Sequence, residues 1–64
     1  MDEFLIIASG GKGPNREWTR NNFSAAQMVA DRASRLGYAK VEVFNTYGGY
    51  KSDALYTVDG KTSL

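Results

Sequence analysis

The chain has 64 residues, 42% of them hydrophobic, and its four Lys and four Arg against seven acids leave a formal net charge of +1. That length bounds it to one domain, residues 1–64, near the lower limit of independent folding, where only roughly 60% of the unfolded surface is buried. The absence of Cys excludes a disulfide framework and a thiolate zinc site, the absence of His removes the commonest general base and metal ligand, and the bulk charge is not that of a nucleic-acid binder.

Phe4–Ser9 reads as a strand by its length and β-favouring residues, and its apolar residues fall on both faces, which predicts a central place in a sheet. The run is far too short for a signal-peptide core or a membrane span, and Asp2 and Glu3 precede it. Gly10–Asn15 holds three Gly and the one Pro, a density that breaks helix and strand alike, so it is a loop. Arg16–Arg20 is either a short second strand or an irregular approach to a helix. As a strand it alternates, with Arg16, Trp18 and Arg20 on one face and Glu17 and Thr19 on the other.

That helix is predicted over about Ala25–Leu36. Ser24 is the N-cap candidate, Gln27 completes a capping box, and Phe23 and Met28 occupy the positions of a hydrophobic staple. Gly37 is the expected C′ residue, and Tyr38 stands where a contact back onto Ala33 belongs. Arg32 and Arg35 fall in the last turns, where the helix dipole favours positive charge. The apolar stripe is Ala26, Val29, Ala30, Ala33 and Leu36, with Met28 at its margin. A stripe so rich in alanine lets the helix lie close on a sheet but supplies little volume. Trp18, Phe23, Tyr38 and the aliphatic residues of the first strand must fill the core.

Ala39–Tyr47, Gly48-Gly49 and Tyr50–Val58 read as a β-hairpin with a two-residue turn. In the register set by that turn, Tyr47 faces Tyr50, Val43 faces Ala54, Val41 faces Tyr56 and Ala39 faces Val58, a coherent inner face. The other face carries Lys40, Glu42, Thr46, Lys51, Asp53 and Thr57, but also Phe44 and Leu55 as diagonal neighbours. The tail, residues 59–64, is expected to fray. The predicted fold is α+β: a small, mainly antiparallel sheet of three or four strands with one helix on one face, in the order β-β-α-β-β or β-α-β-β.

One helix covers one face, so the apolar residues on the other face lack a cover. Phe44, Leu55 and the outward half of Phe4–Ala8 form the candidate protein-binding site, with Tyr47, Tyr50 and Lys51 contributing from the turn. A second candidate is a basic-aromatic surface for single-stranded nucleic acid: Trp18 with Arg16, Arg20 and Lys12, joined by Phe44 and by Tyr47 or Tyr50. The favoured alternative places Trp18 in the core. The loop Ser9-Gly10-Gly11-Lys12-Gly13 departs from the phosphate-cradling pattern, because Lys12 is followed by Gly13 and the helix starts about a dozen residues later. A plain turn accounts for it. Glu42 and Asp53 read as solvated surface acids, Ser24 has no base placed beside it, and neither an enzyme nor a cofactor is expected.

The layout of the whole chain resembles the small proteins that bacteriophages and mobile elements encode to act on host machinery: an extended apolar start, a loop, a capped alanine-rich helix ending in Leu36-Gly37-Tyr38, and a closing hairpin. The resemblance implies a cytoplasmic inhibitor or adaptor that occupies a surface of a host polymerase, nuclease or defence complex. It carries over no site residue. A nucleic-acid-binding module is the second expectation and a homodimer with face-to-face sheets the third; no membrane partner is expected.

Overall fold

A computed structural model describes residues 3–11, 13–47 and 50–59. In chain order the elements are β1 (Glu3–Ser9), β2 (Arg16–Arg20), α1 (Phe23–Ser34), β3 (Lys40–Tyr47), β4 (Tyr50–Lys51) and β5 (Tyr56–Asp59). The sheet is antiparallel and runs β2-β1-β3-β4, with β5 also paired to β3. Arg16–Arg20 is thus a true strand, and β1 lies between β2 and β3, as its apolar residues on both faces require.

Trp18, Ile6, Val43 and Tyr56 form one cross-strand row on the helix side, and Arg16, Ala8, Val41 and Val58 form the next. Ile6, Ala8, Val41 and Val43 close on Ala26, Ala30 and Ala33 of α1, and none of these seven is more than 1% exposed. Burying an aliphatic side chain of this size contributes about 1.5–3 kcal/mol. Alanine supplies the close approach, and the larger side chains come from the sheet and from the rim formed by Phe4, Trp18, Phe23, Val29, Tyr38, Tyr56 and Val58.

The helix starts two residues earlier than its sequence signals suggest. Asn22 is the N-cap: its side-chain oxygen accepts the Ala25 N–H at 2.8 Å and its carbonyl accepts the Ala26 N–H at 3.1 Å. Ser24 therefore lies inside the first turn and caps nothing, and neither the capping box nor the staple forms. The tertiary reason is Phe23. From the first helical position its ring packs edge-on between Phe4, at 5.8 Å, and Tyr56, at 6.3 Å. At the other end Arg35 is the C-cap, and Arg35 and Leu36 make tighter bonds back to Arg32 and Ala33. Leu36, expected on the buried stripe, is 65% exposed.

The hairpin register is also corrected. Tyr47 does face Tyr50, but Val43 pairs with Tyr56 and Val41 with Val58, two residues further along than predicted. The two extra residues are taken up between β4 and β5. There the Ser52 N–H donates to the Asn45 carbonyl at 2.9 Å, and the Ser52 hydroxyl accepts the Asn45 N–H at 2.9 Å. A side chain has taken the place of a ladder carbonyl. Because the slip is an even number of residues, Tyr56 and Val58 stay on the helix side. Asp59, expected in a frayed tail, pairs with Lys40. The Gly48-Gly49 turn, Lys12 and residues 60–64 lie outside the described residues.

The glycine loop packs against the chain that leaves the helix. Gly10 has φ +78°, and a Cβ there would stand 2.6 Å from the Ala39 Cβ; at Gly11 it would stand 2.8 Å from the Tyr38 ring. These two glycines are accounted for by close packing.

Candidate functional site

The face opposite the helix carries no covering element. Leu5 and Ile7 of β1 lie on it half-buried, with Phe44 of β3 directly across from Leu5. Phe44 is not the exposed anchor that its position in the sequence suggests, since it is only 8% exposed. The Lys51 ammonium sits over its ring, 4.4 Å from the centroid, and the aliphatic stem of that lysine supplies cover which the sequence pattern does not reveal. The exposed apolar surface has moved to the hairpin: Leu55 is 51% exposed, Tyr47 65% and Tyr50 81%. Tyr47 and Tyr50 stand opposite each other at the end of β3, so two large rings form one cross-strand pair. Of the five predicted protein-binding residues, the structure leaves Tyr47, Tyr50 and Leu55 open; Tyr47 and Tyr50 share the helix side of the sheet with Val43, whereas Phe44 and Lys51 lie on the opposite face.

The basic-aromatic surface divides. Arg16, Trp18 and Arg20 do share one face of β2, but that is the helix side, whereas Phe44 is on the opposite side of the sheet. The two groups cannot form one platform. Trp18 is half-buried against the core, and the Arg16 guanidinium lies 5.3 Å from its ring centroid.

Between Trp18 and the helix runs a groove of about 230 Å³, lined by Trp18, Arg20, Val29, Arg32, Ala33 and Leu36. A second hollow, about 380 Å³, continues from Leu36 to Gly11, Gly13, Gly37 and Tyr38. The helical contribution to this groove is absent from the sequence expectation. Its signal was present: Val29, Arg32 and Leu36 recur at the three- and four-residue spacing of one helix flank. The second hollow lies at the C-terminal end of α1, whose carbonyl dipoles disfavour an anion.

On the other flank of the helix the Tyr56 hydroxyl donates to Asp31 Oδ1 at 2.8 Å. This hydrogen bond, followed by desolvation and the neighbouring negative charge, raises the Tyr56 pKa above the usual 10.0. Asp31 is thereby directed away from the groove. The one ion pair among the described residues, Lys40 with Glu42 at 3.6 Å, lies on β3. Among the described residues no group of three acids converges to hold a metal ion, and no helix is long and apolar enough to cross a membrane. No protein-family model, no curated protein and no solved structure matches the chain.

Proposed function

We propose that this protein is a small non-enzymatic inhibitor or adaptor that occupies a surface of a larger host protein complex, a polymerase, nuclease or defence assembly, in the host cytoplasm. The observation that carries the reading is the paired, exposed Tyr47 and Tyr50 at the end of β3. Tyrosine is enriched among the residues that dominate interface energetics, and truncating one such anchor costs about 2 kcal/mol or more. Leu5 and Ile7 add a half-buried apolar strip on the other, uncovered face of the sheet, where Lys51 stands over Phe44.

The test is affinity capture from a lysate of the natural host, with and without nuclease, comparing wild type with Tyr50→Asp. Tyr50 is exposed enough for the variant to keep its fold, which circular dichroism checks. The reading expects a discrete protein that survives nuclease and is lost with the substitution. Capture indifferent to Tyr50→Asp, or abolished by nuclease, overturns it. Recovery of the bait alone, together with a concentration-dependent mass in light scattering, would instead favour a self-paired sheet.

A further inference from the structure

The groove between β2 and α1 is a second surface, on the opposite side of the sheet from Phe44. We propose that it receives an extended acidic segment of a partner protein, which adds a strand to the free edge of β2. Its apolar side chains enter among Trp18, Val29 and Leu36, and its carboxylates pair with Arg16, Arg20 and Arg32.

Three observations carry this. First, β2 is the last strand of the sheet and pairs only with β1, so its other edge is unpaired among the described residues. An extended chain can take up such an edge by main-chain hydrogen bonding, with alternate side chains entering the adjacent groove. Second, the groove has an apolar floor and a rim of one sign. Arg16 and Arg20 flank Trp18 on β2, and Arg32 faces them from the helix. None of the three makes an ion pair among the described residues. Arg20 donates to the neighbouring Thr19 carbonyl at 2.6 Å and retains further N–H groups for a ligand. The acids closest in sequence point elsewhere: Glu17 alternates to the far face, opposite Ile7, and Asp31 is held by Tyr56. Third, the groove does not end at the strand. It shares Leu36 with the hollow beside Gly11 and Tyr38, where the C-terminal carbonyls of α1 favour uncharged residues of the segment.

The same facts weigh against other occupants. Two copies pairing antiparallel through β2, centred on Trp18, would set Arg16 against Arg20 on one face, and like charges directly opposite destabilise a sheet. A nucleic-acid base seeking to stack on Trp18 would have to displace the Arg16 guanidinium from its ring.

The experiment selects short random displayed peptides on the folded wild-type chain and counter-selects on Arg20→Glu and Arg32→Glu. Both positions are exposed, so the variants keep the fold. The selected peptides should alternate Asp or Glu with Leu, Val or an aromatic residue. Each reversal should weaken the best of them about tenfold or more, which is about 1.4 kcal/mol. Amide shifts on binding should cluster at β2, Val29 and Leu36, while Tyr50→Asp leaves the affinity unchanged; the groove is thereby tested independently of the hairpin. No selected peptide, sequences without acidic enrichment, or shifts centred on Tyr47 and Tyr50 would each overturn the proposal. So would tighter binding of an oligothymidylate at the same residues, which would assign the groove to single-stranded nucleic acid.

Discussion

Tyr56 shows how much one side chain ties together. Its ring closes the Phe4–Phe23 aromatic row, and its hydroxyl holds the helix to β5 through Asp31. The raised pKa fixes the direction of its pH dependence. The hydrogen-bonded neutral phenol contributes stability that is fully present below pH 10.0 and is lost as pH rises through the higher folded-state value. Beyond that point a phenolate would face the Asp31 carboxylate. In urea unfolding, Tyr56→Phe should therefore have a lower midpoint than wild type at pH 7, and the gap should narrow above pH 10. A gap that stays constant across that range would show that the hydroxyl contributes nothing through Asp31. The pairing of Tyr56 with a helical acid was not legible in the sequence. The predicted register put Tyr56 opposite Val41, and the two residues absorbed at Ser52 moved it beside Val43.

At the scale of elements, the helix was legible and its first turn was not. Asn22 and Ser24 are both good caps in isolation, and the choice between them is made by Phe23, whose partners Phe4 and Tyr56 are remote in sequence. Thermal or urea unfolding should separate the two. Asn22→Ala should cost about 0.5–2 kcal/mol, whereas Ser24→Ala should be close to neutral. Equal costs would mean that the helix starts at Ser24. The strands were legible in type because alternation and β-branching are local properties. The hairpin's offset was not, because it depends on one serine hydroxyl substituting for a main-chain acceptor, which a count of residue periods does not register.

For the whole molecule, the sequence shows correctly that one helix cannot cover both faces of the sheet. It does not show which apolar residues remain exposed. Phe44 lies on the uncovered face yet is buried beneath a lysine side chain, while Met28 of the helix and Leu36 just past its end are open. Phe44→Ala should thus act on folding rather than on binding alone. A loss of about 3–5 kcal/mol is expected for such a side chain, comparable with the whole stability that a core of this size commonly supplies, about 3–5 kcal/mol. The variant should be largely unfolded by circular dichroism at 25 °C. A folded, stable variant would mean that Phe44 is an exposed surface anchor after all. Trp18 had two readings in the sequence, core or surface. It belongs in part to both, as the wall where the core gives way to the groove.

The central position of β1 also bears on how the chain comes to fold during synthesis. β1 needs two neighbours, both made after it. One emerges almost at once as β2, but the other, β3, reaches back across the chain, as in the Thr46 hydroxyl donating to the Glu3 carbonyl over 43 residues. Such distant pairings slow folding, because closure entropy is spent before the contacts form. Until β3 has emerged, β1 has one unpaired edge and no second sheet partner for Ile6 or Ala8. A nascent chain that stops at residue 39 holds β1, β2 and α1 but lacks half of the sheet side of the core, Val41 and Val43. The core therefore cannot close until β3 has been made.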